Sequence, residues 1–345
     1  APILVDCLEE LHQASVSRAI GLGNPNDHGG DLVPVFANDL FAFELRDAVD
    51  VSRLERGVVA RDLVLLGAVD ADGAPVDEPL DARFHGGAWL VRMEDLDPPR
   101  EEKGAAQAIL ESLRQHGLHW DEPVMWQGQR KPAYEDALST LQNLGHLFRC
   151  DCTRAMLGPG GACGGRCQPR QEQVGQVASL RIAVPPECSI TFEDRVQGRQ
   201  SHALGRELPD FVVKRKDGLD AYQLAVVVDD AAQRITHVVR GSDLMDSTAR
   251  QLFLQGLLDF PTPEYGHLPV ITNSAGQKLS KQNQAPPLDN GQATGNLRRA
   301  LEFLRQAEPP DSLLCCEQLL GYAARNWQLE RVPAALSIAG ELADL

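Results

Sequence analysis

The chain has 345 residues, 43% hydrophobic and 24% charged, an ordinary composition for a globular protein with a substantial core and two or three structural units. With 49 acidic against 33 basic side chains, the formal net charge of −16 argues against a protein that grips nucleic acid through global charge. No apolar run approaches the roughly 18 residues needed to span a bilayer, and no N-terminal stretch has the pattern of a signal peptide. The expectation is therefore a cytoplasmic protein that does not engage membranes. Position 1 is Ala rather than Met, which suggests a processed or incomplete chain.

Residues 1–80 are acidic, with two Gly-rich turns at 21–30 and 70–75 and a strand candidate at Asp62-Leu-Val-Leu-Leu-Gly67. Trp89-Leu-Val-Arg-Met93 reads as a short buried strand, followed by Glu94-Asp-Leu-Asp97 and the stop Pro98-Pro99. Helices are expected at about 101–116, with Ala106, Ile109, Leu110 and Leu113 on one face, and at about 132–144, with Leu138, Leu141 and Leu144 on one face. Strand candidates recur at Leu180–Val184, Phe211–Arg215, Gln223–Val228 and Ile235–Val239, then a helix at about 246–258, and a largely helical remainder after Lys281. This alternation suggests an α/β fold built on a mainly parallel sheet.

Four thiols fall between the second helix and the next strand. Cys150-Asp-Cys152 is one pair, Cys163 and Cys167 the other, and the intervening Leu157-Gly-Pro-Gly-Gly-Ala162 is flexible enough to fold back. Thiolates suit Zn2+, and four of them leave no open position for water, so a structural zinc knuckle is expected rather than a catalytic centre. Two disulfides or four unrelated thiols is the bland alternative. Cys7, Cys188, Cys315 and Cys316 read as ordinary core or surface thiols.

Glu94 lies just past the carboxyl end of a strand, the edge where open α/β sheets take ligands, and suits an ammonium or a ribose hydroxyl. Tyr222 precedes an apolar run read as a strand that Asp229-Asp230 closes. Arg240, beside Gly241, leaves another strand and can offer its guanidinium fork to a carboxylate. An acid, a Tyr and an Arg at three strand ends suit a zwitterionic amino acid with an acidic side chain. Lys278-Leu-Ser-Lys281 is a polar loop whose ammonium groups can converge on phosphate oxygens during adenylyl transfer. The local basic clusters Lys214-Arg-Lys216, Arg298-Arg299 and Arg166/Arg170 are candidates for a nucleic-acid surface, or simply solvated charge.

Together these segments resemble the class I glutamyl-tRNA synthetases and their short paralogues, the glutamyl-queuosine tRNA(Asp) synthetases. The resemblance is carried, in order, by Trp89-Leu-Val-Arg-Met-Glu-Asp-Leu-Asp-Pro-Pro-Arg100, the Cys-x-Cys knuckle, Asp217 to Asp230, Val239-Arg-Gly-Ser-Asp-Leu244, His267-Leu-Pro269, Lys278-Leu-Ser-Lys-Gln-Asn283, and Asn326-Trp327 through Val332-Pro333, covering about residues 81–335. Only 64 residues follow Lys281, too few for the anticodon-binding domains of a full glutamyl-tRNA synthetase, which favours the short paralogue over the full synthetase.

The resemblance implies a class I synthetase Rossmann-type parallel sheet with an inserted zinc knuckle and a helical C-terminal part. It implies a ligase of the aminoacyl-tRNA synthetase type that activates glutamate with ATP, with Mg2+, and passes the glutamyl group to queuosine in the tRNA(Asp) anticodon. By motif position, Glu94, Tyr222 and Arg240 would bind glutamate. Lys281, with Lys278, would serve ATP, and Cys150, Cys152, Cys163 and Cys167 would hold zinc. Cys163 departs from the Tyr common at the third ligand position and is the better ligand. The implied division is 1–80 unmatched, 81–148 first catalytic part, 149–170 knuckle, 171–275 second catalytic part, and 276–345 loop and helical end.

The family's HIGH signature is not found in residues 1–80. The His-Gly pairs of the N-terminal part, at His28-Gly29-Gly30 and His85-Gly86-Gly87, lack its context. The competing expectation is accordingly an inactive, zinc-stabilised relative that binds glutamate or tRNA.

Overall fold

A computed structural model describes residues 40–44, 63–67, 80, 83, 89–98, 101, 103–273, 276, 278 and 288–339. Lys281 and both His-Gly pairs lie outside the described residues.

The chain enters the described part through the backbone strands β1 (Leu40–Glu44) and β2 (Leu63–Gly67), then β3 (Trp89–Met93). Helix α1 (Ala105–Gln115) follows, with Ile109, Leu110 and Leu113 buried on β3 through Trp89, Val91 and Met93. The two-residue β4 (Met125–Trp126) leads into α2 (Lys131–Asn143), where Pro132 sits in the first turn, the helical position that lacks a hydrogen-bond acceptor anyway. Both helices fall within a few residues of the boundaries the 3.6-residue pattern predicts.

Next come β5 (Leu147–Cys150), the cysteine loop, β6 (Ser179–Ala183), the hairpin β7 (Ile190–Asp194) and β8 (Gly198–His202), a single turn α3 (Leu204–Glu207) and β9 (Asp210–Lys214). Helix α4 (Tyr222–Gln233) and strand β10 (Ile235–Gly241) follow, then α5 (Met245–Leu258), β11 (Glu264–Leu268) and β12 (Val270–Thr272). The chain closes with α6 (Ala293–Phe303), α7 (Cys316–Arg325) and β13 (Ser337–Ala339).

The main sheet has the order β4-β3-β2-β1-β10-β11-β7-β8. Its pairings are parallel for β3 with β4, β1 with β10, β10 with β11 and β11 with β7, and antiparallel for the rest. Only β2 and β8 therefore run against the other strands. Helices α2, α4 and α5 bury one continuous apolar cluster with strands of this sheet, including Leu90, Val238 and Tyr265.

Two expectations change. The run Gln223–Val228 is helical: it forms the middle of α4, and Leu224 to Asp230 are all buried. A helix covered on most sides loses the polar face that reveals its period, and Val226-Val-Val228 then looks like a strand. The strands predicted at 180–184 and 211–215 exist, but they belong to a separate antiparallel sheet β5-β6-β9 that carries the cysteine loop, not to the parallel sheet.

Candidate functional site

Strands β3 and β10 point the same way, so Glu94, one residue past β3, and Arg240, the penultimate residue of β10, stand at the same edge of the sheet. Three strand spacings of about 4.8 Å place the two strands roughly 14 Å apart, enough to bracket a small ligand. Both residues are buried. Tyr222 is corrected from a strand end to the first residue of α4, where its ring packs partly against the main core. The next residue, Gln223, donates from Nε2 to Ser247 Oγ at 3.0 Å, tying the start of α4 to the start of α5, just beyond the Arg240-Gly-Ser-Asp243 turn.

Gly241 leaves room in that turn for the Asp243 carboxylate: a Cβ there would sit 2.5 Å from Oδ1 and turn the side chain away. The Asp243 carboxylate reaches the predicted phosphate loop: Lys278 Nζ lies 2.9 Å from its Oδ2, and Lys278 forms a backbone bridge with Thr272, the last residue of β12. The structure thus brings Lys278 to the Arg240 turn.

Arg240 is held from two sides. Its Nε donates to His267 Nε2 at 3.2 Å and its Nη2 to Thr248 Oγ1 at 2.6 Å, with the guanidinium carbon 5.4 Å from the Tyr265 ring centre. His267 in turn hydrogen-bonds Asp194 Oδ2 through Nδ1 at 2.6 Å. Burial holds the imidazole below its ordinary range despite the Asp194 bond, while Asp194, pushed up by burial, is brought below its usual value by the His267 and backbone bonds. Sequence reading noted His267 within a motif but assigned it no role, and it passed over Asp194 and Thr248. The one available signal was a His directly before Leu268-Pro269 in a short strand.

Asp229 and Asp230 do not close a strand. They sit side by side on α4, and successive residues of a helix point about 100° apart. Asp229 accepts from Gln127 Nε2 (2.9 Å), Arg130 Nε (2.9 Å) and Tyr134 Oη (2.6 Å), whereas Asp230 accepts from Arg92 Nη2 at 2.6 Å. They clamp α4 to α2 and β3.

The four predicted metal ligands converge. The Sγ atoms of Cys150, Cys152, Cys163 and Cys167 all lie within 4.8 Å of one another and are buried. Cys152 Sγ stands 3.7 Å from Cys163 Sγ and 3.6 Å from Cys167 Sγ. A tetrahedral zinc site with Zn–S of about 2.3 Å requires S···S of about 3.8 Å, and a disulfide about 2.05 Å. The separations fit the metal and not a disulfide.

Burial pushes the Cys150, Cys152 and Cys163 thiols up. At Cys167 burial acts the same way, but bonds from Cys152 and Cys163 outweigh it and the thiol falls. Outer contacts brace the cage, as metal ligands generally require. Asp210 accepts the Cys163 and Gly164 backbone N–H groups at 2.8 and 2.7 Å, and Arg181 pairs with the same carboxylate. Gly164 and Gly165 adopt φ of +65° and +72°, which L side chains resist. Arg170 Nη2 lies 3.1 Å from Cys167 Sγ and 2.5 Å from Asp151 Oδ1.

The basic clusters proposed from sequence are engaged within the chain. Lys216 Nζ donates to the Asp151 and Cys152 carbonyls, Arg215 pairs with Asp97 and Asp217, and Arg298 donates to the Pro309, Pro310 and Leu313 carbonyls.

A family model described as tRNA synthetases class I (E and Q), catalytic domain, matches residues 80–158 and 166–305, and the chain belongs to that family. Among its relatives is a glutamyl-Q tRNA(Asp) synthetase of Pseudomonas putida (strain W619), 47% identical over 73% of this chain and 86% of its own length. The protein of the same name from Thiobacillus denitrificans (strain ATCC 25259 / T1) is 49% identical over 75% of this chain and 89% of its own. A solved glutamate tRNA ligase from Elizabethkingia meningosepticum, in complex with its amino acid, superposes with a TM-score of 0.61 at 20% identity, a likeness of fold. The match covers 77% of this chain and 62% of that ligase.

Proposed function

We propose that the chain is a glutamyl-queuosine tRNA(Asp) synthetase: an ATP-dependent ligase that forms glutamyl-adenylate and passes the glutamyl group to queuosine in the tRNA(Asp) anticodon. The observation that carries this reading is identity of 46–49% with several proteins of that name, over most of their length. In this reading Arg240 receives a glutamate carboxylate, Glu94 the ammonium, and the Tyr222 hydroxyl fixes orientation beside them. Lys281, with Lys278 anchored to Asp243, offsets the charge that develops on the ATP phosphates, which bind with Mg2+. Cys150, Cys152, Cys163 and Cys167 hold zinc, which when bound supplies only a structural cross-link, since four thiolates fill its tetrahedron. The working division is 1–80, 81–148, 149–170, 171–275 and 276–345, with the cytoplasm as location. Among the described residues no helix is long and apolar enough to cross a membrane.

The test is glutamate-dependent ATP–pyrophosphate exchange, followed by transfer of labelled glutamate to tRNA(Asp) with and without queuosine. Exchange that falls about 100-fold in Lys281→Ala, with transfer only to the queuosine-bearing tRNA, is the expected result. Folded, zinc-loaded protein without exchange would leave the inactive binding relative instead.

A further inference from the structure

Arg240 and His267 are direct partners across β10 and β11, so their side chains leave the sheet on the same face. Arginine only donates, which makes His267 Nε2 an acceptor and puts the imidazole proton on Nδ1, toward Asp194. Asp194 Oδ1 is itself filled by the backbone N–H groups of Val196, Gln197 and His267, at 3.0, 2.8 and 3.1 Å. The carboxylate thus cannot rotate, and the imidazole tautomer is fixed behind it. Thr248, from α5, receives Arg240 Nη2 on a second side. The relay therefore engages Nε and Nη2, while Nη1 meets no acceptor among the described residues. Asp194, Thr248, His267 and Arg240 are all buried, on four different elements.

From this geometry we propose that Asp194, His267 and Thr248 are positioning residues that hold the Arg240 guanidinium in the orientation that receives the substrate carboxylate. The proposal rests on the glutamate-site reading above. A flexible Arg would have to be ordered each time substrate arrives; one already held by two acceptors loses little freedom on binding. The relay also sets charge. Its acceptors within 3.2 Å are a neutral imidazole and a hydroxyl; among the described residues no acid hydrogen-bonds the guanidinium, and its positive charge remains for the ligand.

The experiment is calorimetric titration of the full zinc-loaded chain with glutamate, alongside the ATP KM in exchange. His267→Asn keeps a donor near Nδ1 but removes the acceptor at Nε2; His267→Gln keeps an acceptor there. We expect the Asn variant to raise the glutamate Kd about tenfold or more, the worth of one hydrogen bond to a charged group. The ATP KM should be unchanged, and the Gln variant should recover most of the affinity. Thr248→Val, which removes only the hydroxyl, should raise the Kd in the same sense and serves if His267→Asn does not fold.

Wild-type Kd in folded His267→Asn and Thr248→Val, or equal impairment of the Asn and Gln variants, would overturn the relay. Arg240→Lys separates the two ideas. If it binds glutamate as the wild type does, the site reading fails and the relay with it. If it is impaired while His267→Asn is not, only the relay fails.

Discussion

At Asp229 one carboxylate takes three donors from α2 and the turn before it, and no water-facing alternative exists for a side chain that is fully buried. Burial and the same carboxylate hold the Tyr134 hydroxyl well above the ordinary phenol range, so it stays a donor. Removing the acid orphans the Gln127 amide and the Tyr134 hydroxyl in the interior. Arg130, about a quarter exposed, recovers part of its loss by hydration. Asp229→Ala is therefore expected to destabilise by about 3–5 kcal/mol, the range for breaking a buried pair, and Asp229→Asn by less, because one acceptor oxygen survives. Urea unfolding of the two variants measures this. A cost within a few tenths of a kcal/mol for the Ala variant would show that the hub contributes nothing net.

At the level of elements, legibility followed exposure of a polar face. Helices α1 and α2 show one, and the sequence locates both. Strand β3 was legible from four apolar residues in five, ended by an acidic turn and two prolines. Helix α4 was not, because it is covered on most sides and its two consecutive acids point to partners inside the fold. The same burial hid Asp194 and Thr248, whose partners are distant in sequence and could not be inferred from spacing. The cysteine cage was legible because its ligands are local and chemically uncommon. Its packing is mainly its own: Phe148, the four cysteines and Val174 form a small separate cluster. Without the metal that cluster would hold four buried sulfurs on a loop containing Gly158, Gly160, Gly161, Gly164 and Gly165. Metal analysis should find about one zinc ion per chain. Chelation should open residues 151–175 to protease and hydrogen exchange while the β1-β10-β11-β7 sheet stays protected. A chain that carries no zinc, or a loop equally protected after chelation, would refute the cage.

Over the whole molecule, the C-terminal helices are not an appendage. Leu301 of α6, Ala323 and Ala324 of α7, Trp327 and Val332 close one apolar cluster with Val239 of β10 and Leu268 of β11, the strands that carry Arg240 and His267. The chain end then returns to the site: β13 pairs in parallel with β12, Ser242 Oγ donates to the Leu336 carbonyl, and Gln197 Nε2 donates to the Ala335 carbonyl at 3.1 Å. Residues near 330–339 therefore brace the turn that presents Arg240 and the strand that leads to Lys278. A helical end built this way should unfold with the sheet. Trp327→Ala, which empties the middle of the shared cluster, is expected to cost about 3–5 kcal/mol. It should lower a single cooperative transition, seen alike by far-UV circular dichroism and by exposure of the buried thiols. Two separable transitions, with only the smaller one shifted by the substitution, would mean that the C-terminal part folds on its own and that the sheet does not depend on it for the shape of its active edge.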